Sequence, residues 1–417
     1  MSAANSERVN YAVMSDIGRR RTNNQDSYIV AIAQDESAWQ NRGDLFVVAD
    51  GMGAHAAGEL ASRLAVEGVS HVYLQRREAG PMEAIRQAIV DTNTEIHQRG
   101  RANVEFHNMG TTCSALVLGP DGAVIGHVGD SRIYRLRGDH LEQLTFDHSL
   151  VWEMRAMGQA IGQHNAGFGL PKNVITRSLG PNADVQVDVE GPLAVEAGDR
   201  FLICSDGLTG KIEDAEMALV LRYLSPQAAV EWLTDLANLR GGPDNITVLV
   251  TEARRTTGGG HGDPSWSATG SSQLRLLGGA ILACVAGLIA LILGQHQLGA
   301  GLAVGGALLA AASRWLTPSR PPADRPARSG KGPYTSSLVP HAPHQFDSID
   351  DTVADALSQI RDVEDESTLG RLQQLLDQAR AARAQSRLTD ACQSYAQLTR
   401  DLIQLVRNYD GQGDLFG

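Results

Sequence analysis

The sequence predicts an α+β domain over residues 8–254, because short apolar strands come in runs and two long helical patterns follow one another. The helical patterns span residues 57–78 and 82–100, with no strand between them. Several later strands are joined by short turns, as in the stretch LGPDGAVIG. This grouping favours a largely antiparallel sheet with helices packed on it, since parallel sheets need a crossover connection between successive strands.

The predicted strands are short and are either apolar or alternating in polarity, the pattern of buried and half-buried strands. At Asp50-Gly51 a strand ends in a turn, and the small residues after it would let a ligand approach the backbone closely. The predicted strands span residues 10–17, 27–33, 44–49, 112–118, 123–128, 132–137, 200–204 and 246–251.

Charge and cysteine content exclude several classes of protein. The formal net charge of −12 argues against a nucleic-acid-binding protein, which needs a basic surface. The 4 cysteines lie far apart and form no Cys-x-x-Cys pair, so we expect neither a thiolate zinc site nor a disulfide framework. The N-terminal residues are polar and do not form a signal peptide, so we expect them to stay in the cytosol.

Two apolar stretches within residues 275–316 predict a transmembrane segment of two helices, after a Gly/Ser-rich linker at 255–274. Residues 276–293 carry no charge and would span about 27 Å as a helix, close to the ~30 Å of a hydrocarbon core. Residues 298–312 are also uncharged, and basic residues flank the pair but do not separate it. By the positive-inside rule, such a distribution of basic residues is expected for a hairpin with both ends in the cytosol. A single span and a buried hairpin in a soluble domain are the alternatives.

The C-terminal part is predicted to consist of a Pro-rich disordered linker at 317–345 and a helical module at 346–408. Apolar residues at helical spacing mark three helices in this module, the last of them from Leu388 onwards. Packing of the module on itself, self-association and binding to a partner remain open alternatives at this point.

Five aspartates lie at the ends of predicted strands, most of them beside Gly, Ser or Asn. Each of them alone is typical of a turn or a helix cap. If the strand ends meet at one edge of a sandwich, the carboxylates would repel one another unless cations lay among them. Oxygen ligands suit Mg²⁺ or Mn²⁺, and the lack of Cys and paired His ligands argues against zinc. These aspartates are Asp26, Asp50, Asp130, Asp206 and Asp244.

Eight short motifs follow one another within residues 10–251, namely GRRRTNNQD, DGMGAHAAGELAS, GTT, GDSR, LTFDHS, ITRSLG, CSDG and GGPDN. Their order and spacing resemble the metal-dependent protein phosphatases of the 2C type, in particular the bacterial serine/threonine phosphatases. Two positions depart from the family's pattern. Gln25 stands where many relatives have Glu, and Ala54 stands where they have Gly, just before His55. Ala54 fits only if its position does not need a positive φ.

The resemblance implies an α-β-β-α sandwich, two antiparallel sheets flanked by helices, with a centre of two Mn²⁺ or Mg²⁺ ions. It implies that Asp50 bridges the ions and that the carbonyl of Gly51 binds one of them. Asp206 and Asp244 would complete the direct ligands, and Asp26 would be a nearby ligand or hold metal-bound water. A third ion, bound by Asp130 and Asp206, occurs in bacterial members.

The resemblance also implies catalytic roles for Arg21 and His55. Arg21 would bind the substrate phosphate, because a guanidinium fork matches phosphate oxygens. His55 would act as the general acid for the leaving serine or threonine oxygen. The implied reaction is hydrolysis of phosphoserine and phosphothreonine in proteins by metal-activated water. Residues 152–171 correspond to the mobile flap of the bacterial members.

Two hypotheses about function follow, one for an enzyme and one for a scaffold protein. The first is a membrane-tethered serine/threonine phosphatase at the inner (plasma) membrane, with its catalytic domain in the cytoplasm. Its substrates would be phosphoproteins made by a cognate serine/threonine kinase. The second is a phosphatase-like scaffold or regulator that recruits partners at the membrane through its C-terminal helices. The presence of Arg21, Asp50, Asp206 and Asp244 favours the first, because a scaffold without activity would be free to lose them.

Overall fold

A computed structural model describes residues 2–5, 7–54, 56–76, 78–156, 174–258, 331–339, 346–361 and 364–410. Its strands are β1 Ser2–Asn5, β2 Val9–Asp16, β3 Asp26–Ala31, β4 Asp44–Met52, β5 Gly110–Thr111, β6 Cys113–Gly119, β7 Gly122–Val128, β8 Arg132–Arg137, β9 His140–Gln143, β10 Asp188–Leu193, β11 Arg200–Cys204, β12 Ile246–Ala253 and β13 Thr335–Leu338. Its helices are α1 Glu36–Arg42, α2 Ala57–Gln75, α3 Pro81–Ala102, α4 Leu150–Ala156, α5 Asp206–Thr209, α6 Asp214–Tyr223, α7 Pro226–Leu239, α8 Asp347–Ile360, α9 Glu366–Ala384 and α10 Leu388–Asp410.

The strands form two antiparallel sheets that pack face to face. Within the described residues, one sheet has the order β1-β2-β12-β11-β8-β9-β13. The other has the order β10-β7-β6-β4-β3, with β5 paired to the end of β4. Helices α2 and α3 cover the outer face of the second sheet, and α6 and α7 cover that of the first. Side chains from both sheets fill the interior, among them Val13, Phe46, Leu116, Phe201 and Leu249. The predicted sandwich of two antiparallel sheets flanked by helices is confirmed.

Burial on both faces explains why the central strands are continuous apolar runs in the sequence. Every residue of β6 and β7 is buried, because the interior of the sandwich covers one face and helices cover the other. The two long predicted helices agree with α2 and α3 to within a few residues. Helix α3 begins with Pro81, whose missing N–H suits the first turn of a helix.

Residues 331–339 are ordered and extend the first sheet, which corrects the prediction of a disordered linker over 317–345 for this part. Strand β13 pairs antiparallel with β9. The hydroxyl of Tyr334 donates to Glu190 Oε1 at 2.7 Å, and the backbone N of Lys331 donates to the same oxygen at 3.0 Å. Disorder was predicted from the high proline content of the segment, but the open edge of β9 supplies hydrogen-bond partners for its backbone.

The three C-terminal helices form a further layer on the α+β domain. Residues Met1–Gly260 and Arg328–Gly417 make one compact unit, and α8, α9 and α10 share a hydrophobic core with α6 and α7. Trp232 of α7 is only 1% exposed, and its indole Nε1 donates to Thr399 Oγ1 of α10 at 3.1 Å. The helices predicted within 346–408 therefore cover the sandwich, an arrangement that their sequence pattern alone does not indicate.

The predicted transmembrane segment at 275–316 lies outside the described residues. Among the helices of the described part of the chain, none is long and apolar enough to cross a membrane.

Leu402→Ala should destabilise the whole compact unit, because Leu402 is fully buried in the core that α10 shares with α7. We expect the free energy of unfolding to fall by about 2–5 kcal/mol, measured by urea denaturation of the full chain with circular dichroism. Amide hydrogen exchange in β11 and β12 should become faster together with exchange in α10.

Leu338→Ala, at a side chain that is 67% exposed, is the control and should change the unfolding free energy by less than ~0.5 kcal/mol. Faster exchange confined to residues 346–410 in the Leu402 variant would instead show that the C-terminal helices unfold as a separate unit.

Candidate active site

Neighbouring strands bring aspartates from both sheets to one edge of the sandwich. Asp26 begins β3 and lies directly opposite Asp50 of β4 in the antiparallel register. Asp206 begins α5 just after β11, and Asp244 lies just before β12, the strand next to β11. Asp130 lies in the turn between β7 and β8. The strand order therefore explains how residues far apart in the sequence come to share one site.

The five carboxylates repel one another. Burial raises the pKa of Asp50 well above its ordinary value, and the negative charges around it raise it further. Burial also raises the pKa of Asp26 and that of Asp130 to about 7, and the charge of Asp206 adds to both. The pKa of Asp206 is raised by burial and then by the charge of Asp244. The structure thus brings together all five aspartates that the sequence singles out.

Two carboxylate oxygens in this cluster, Asp26 Oδ1 and Asp130 Oδ1, are buried and have no hydrogen-bond partner among the described residues. The other oxygen of Asp26 accepts a hydrogen bond from Ser205 Oγ at 2.7 Å. Buried acceptors without a partner are destabilising, and a cation that prefers oxygen ligands would satisfy them.

The carboxylate oxygens are suitable donors for such a cation, although they do not surround a cation position on all sides. In the part of the chain that the structure describes, no group of three or more His, Cys, Asp or Glu side chains is placed so that it could hold a metal ion by itself. Mg²⁺, however, keeps several waters and is usually bound through only one or two carboxylates. Carboxylates that repel one another around two buried acceptors match this mode of binding.

The backbone around Asp50 is fixed by the close approach of other segments. A side chain at Gly51 would place its Cβ 2.1 Å from the carbonyl oxygen of Gly58, so only glycine fits there. The backbone N of Asp50 donates to Thr112 Oγ1 at 2.9 Å, and the carbonyl of Asp50 accepts from Thr111 Oγ1 at 2.9 Å. The threonines of the GTT motif therefore hold the strand end that presents Asp50 and Gly51.

Asn245 ties two loops of the site together, a role that its position in the sequence does not reveal. Its amide Nδ2 donates to the carbonyls of Ile17 and Asn23 at 2.9 and 3.0 Å. Its Oδ1 accepts from the backbone N of Gln25 at 2.8 Å. Because Asn245 directly follows Asp244, it fixes the Asp244 loop against the loop that precedes β3. The only available signal was its place as the last residue of GGPDN.

Arg21 lies at the mouth of the aspartate cluster. Its Nη2 donates to Asp244 Oδ2 at 2.8 Å, and its side chain is 49% exposed. The hydrogen bond to Asp244 raises the pKa of Arg21, and the charges of Asp50 and Asp206 add to this effect. The guanidinium is therefore oriented by a carboxylate while other N–H donors stay accessible to a phosphate.

A pair of buried histidines supports the turn that carries Asp130. The backbone N of Gly129 donates to His148 Nδ1 at 2.9 Å, and His127 Nε2 donates to the carbonyl of Gly129 at 3.0 Å. Ser114 Oγ is 2.9 Å from His127 Nδ1. Burial lowers the pKa of His127 to about 3, so its ring is neutral. His127 is thus a structural residue, as its place in an apolar strand suggests.

His55, the predicted general acid, lies outside the described residues, so its role stays a prediction. The preceding Ala54 is described and does not have a positive φ. Alanine in place of the family's glycine therefore causes no backbone strain. Gln25, the other departure from the family pattern, donates from Nε2 to the carbonyl of Gly53 at 3.1 Å and so helps to hold the turn after β4.

Asp26→Asn should stabilise the metal-free protein at about pH 8 and have much less effect at about pH 5. Folding raises the pKa of Asp26 from 3.8 to about 7. Between these two pH values the native state therefore binds a proton more tightly than the unfolded chain does. The contribution of Asp26 to the free energy of unfolding is therefore fully present below pH 3.8 and is lost as the pH rises through about 7. Asparagine resembles the protonated carboxyl and should remove this loss.

The measurement is Tm by scanning calorimetry in EDTA, as the difference between the variant and the wild type at each pH. Asp184→Asn, at an exposed position, is the control and should show no pH-dependent difference. An Asp26→Asn difference that is the same at both pH values would contradict the raised pKa.

Known proteins resemble the first part of the chain. The model of the family "Protein phosphatase 2C" matches residues 19–240. Protein phosphatase PhpP of Streptococcus pneumoniae is 38% identical over 245 residues, which cover 57% of this chain and 95% of PhpP. The crystal structure of the Mycobacterium tuberculosis serine/threonine phosphatase PstP/Ppp matches with a TM-score of 0.51 and 31% identity, over 59% of this chain and 98% of that chain.

A crystal structure of the PstP catalytic domain in complex with 2 manganese ions matches with a TM-score of 0.50 and 30% identity, again over 59% of this chain and 98% of that chain. The predicted cofactor, Mn²⁺ or Mg²⁺, is confirmed at the level of the family. The predicted activity, that of a protein-serine/threonine phosphatase, is confirmed by the same comparisons. The chain belongs to the protein phosphatase 2C family.

Proposed function

We propose that this chain hydrolyses phosphoserine and phosphothreonine in proteins at the aspartate cluster, with Mn²⁺ or Mg²⁺ as its cofactor, while tethered to a membrane. The observation that carries the catalytic part is the burial of Asp50 among four further carboxylates, beside a half-exposed Arg21. Without cations this cluster would repel a phosphate ester, so the site makes chemical sense only as a metal centre. The substrates would be phosphoproteins made by serine/threonine kinases.

The ions would be held where the strand ends of the two sheets meet. Their oxygen donors come from rigid strand ends and from backbone that is fixed by neighbouring segments. When bound, the ions neutralise charge on the phosphoryl oxygens and activate a water for attack on phosphorus. The residues that would hold them are Asp50, the carbonyl of Gly51, Asp206 and Asp244, with Asp26 and Asp130 as further oxygen donors.

Arg21 would bind and orient the phosphate. Asp244 already holds one end of its guanidinium at 2.8 Å, so little side-chain freedom is lost when a phosphate binds. This arrangement places the charge of Arg21 beside the aspartates but on the side open to solvent. Protonation of the leaving oxygen by His55 is part of the proposal and rests on the family's motif.

Asp206→Asn should lower Mn²⁺-dependent hydrolysis of p-nitrophenyl phosphate by the full chain about a hundredfold or more, because it removes a charge that the ions require. Asp184→Asn, at an exposed position whose charge is not among those that shift the pKa values of the clustered aspartates, is the control and should keep wild-type activity. A phosphothreonine peptide, with released phosphate as the readout, should show the same two results.

The alternative is a phosphatase-like scaffold that recruits partners through its C-terminal helices. A wild-type chain without Mn²⁺-dependent hydrolysis, or an Asp206→Asn variant as active as the wild type, would contradict the enzyme and favour the scaffold. The structure gives the scaffold little support, because the buried faces of those helices already pack with α6 and α7 in one core.

The membrane tether is proposed for residues 275–316 on the strength of their apolar sequence and flanking charges. The described flanks of this region support two spans over one. Thr257 pairs with Val195 just after β10, and the backbone N of Lys331 donates to Glu190 within β10. Both flanks are thus held by the same compact unit. They must lie on the same side of a bilayer, which requires an even number of crossings.

The full chain should remain with the membrane pellet after alkaline carbonate extraction and be released by detergent, because two apolar helices would be embedded in lipid. A variant that lacks residues 276–312 is the control and should move to the soluble fraction. Full-length protein in the soluble fraction without detergent would contradict the tether. Cleavage of the catalytic domain by protease added outside intact spheroplasts would contradict its cytoplasmic location.

A further inference from the structure

Two loops that carry site residues are clamped against each other. The first leads from β2 to β3 and bears Arg21, and the second leads from α7 to β12 and bears Asp244. The backbone N of Arg19 donates to the carbonyl of Gly242 at 2.8 Å. Gly18 has a φ of 79°, and a Cβ there would lie 2.2 Å from the carbonyl oxygen of Asp244. The position of Arg21 relative to Asp244 therefore depends on this clamp.

The carboxylate of Asp16 connects the segments that hold these two loops together. Its Oδ1 accepts from the backbone N of Gly18 at 2.9 Å and from Asn238 Nδ2 of α7 at 3.1 Å. Its Oδ2 accepts from Arg407 Nη2 of α10 at 2.7 Å. The carboxylate is mostly buried, with its side chain 11% exposed, so its negative charge needs this cation. One carboxylate thus joins the Arg21 loop, the end of α7 and the last helix of the chain.

Arg407 belongs to a basic face of α10 that matches an acidic face of the domain. Arg400, seven residues earlier and so on the same side of the helix, pairs with Glu231 of α7. Its Nε also lies 3.9 Å from Asp235 Oδ2, one turn further along α7. This complementary pattern aligns α10 along α7 and brings Arg407 to Asp16.

The first C-terminal helix contacts the other side of the same loop pair. Arg240, which follows α7, donates to Thr352 Oγ1 at 3.2 Å and to Ser348 Oγ at 3.1 Å, both on α8. It also pairs with Glu216 of α6 at 2.7 Å. Arg240 is immediately followed by the glycines of the Asp244 loop, so α8 contacts the start of this loop, while α10 contacts Asp16 at the start of the Arg21 loop.

We propose that the C-terminal helices position the catalytic loops of this phosphatase, and that Arg407 is the positioning residue that acts through Asp16 on Arg21 and Asp244. The inference rests on the proposed function of the aspartate cluster. A purely structural role for the helices would stabilise the domain without affecting how Arg21 meets a phosphate. Loss of Arg407 should therefore raise KM if the helices position Arg21, and should leave KM unchanged if their role is purely structural.

Arg407→Gln in the full chain tests the proposal, with Arg371→Gln as the matched control. Arg371 also pairs with an aspartate, Asp401, at 2.8 Å, but this pair lies between α9 and α10 and does not touch the loops. For p-nitrophenyl phosphate with saturating Mn²⁺, we expect Arg407→Gln to raise KM about threefold to fivefold, the scale of a partly exposed ion pair. Arg371→Gln should leave KM unchanged, and Arg407→Lys should restore most of the wild-type value.

A second readout does not need activity. In the metal-free full chain, amide hydrogen exchange over residues 16–24 and 240–245 should be faster in Arg407→Gln than in Arg371→Gln, while exchange in β4 stays the same. If the wild type has no phosphatase activity, the proposed function fails and this comparison still decides the positioning role.

Coupling to Asp16 is the decisive part of the test. In an Asp16→Asn background, Arg407→Gln should have no further effect on KM, because the charge that Arg407 meets is gone. The proposal is overturned if Arg407→Gln raises KM by the same factor in that background. It is also overturned if Arg407→Gln lowers only kcat, as loss of folded enzyme would, or if loop exchange equals that of the control.

Discussion

Repulsion among buried carboxylates is the constraint on which the rest of the structure depends. Asp26 and Asp50 face each other across β3 and β4, and Asp206 and Asp244 approach from the neighbouring sheet. Burial and the neighbouring charges raise the pKa of Asp26 and Asp50, so folding works against ionisation at this edge. The apolar interior and the helices on both outer faces hold the strand ends together in spite of this. A cluster of this kind gives cations a rigid set of oxygen donors, and cations in turn remove the repulsion.

The support of the site extends well beyond the region that matches the phosphatase family. The family match ends at residue 240, whereas the compact unit continues through Arg328–Gly417. Helix α7 leads directly into the Asp244 loop, and its Trp232 is buried beneath α10. Removal of the C-terminal helices would therefore uncover a large apolar surface on α6 and α7, which is costly in water. The helices complete the outer layer of the catalytic unit, and the segment before them is the proposed membrane anchor.

The sequence singled out the aspartates of the site better than the residues that support them. The acidic strand ends could be recognised because each stands beside an apolar run, and the structure brings them together. Ser205 and Asn245 could not be recognised, because their hydrogen bonds reach residues far away in the sequence. Helix α7 was missed by apolar periodicity since it is buried on nearly all sides, although Ser225 and Pro226 mark its start. The pairing of β13 depends on an open sheet edge, and the packing of helices α8, α9 and α10 depends on an uncovered face of α6 and α7. Both are properties of the assembled fold.

The central claim is that the aspartate cluster exists to hold divalent cations. Isothermal titration calorimetry of Mn²⁺ into the metal-free full chain tests it most directly, at slightly acidic pH and in two buffers of different ionisation enthalpy. We expect about two bound ions per chain, as in the manganese-bound relative. We also expect proton release on binding, because the carboxyls of Asp26 and Asp130, with a pKa of about 7, must give up their protons. Asp50→Asn should weaken the binding strongly. No Mn²⁺ binding, or binding that is unchanged in Asp50→Asn, would contradict the account.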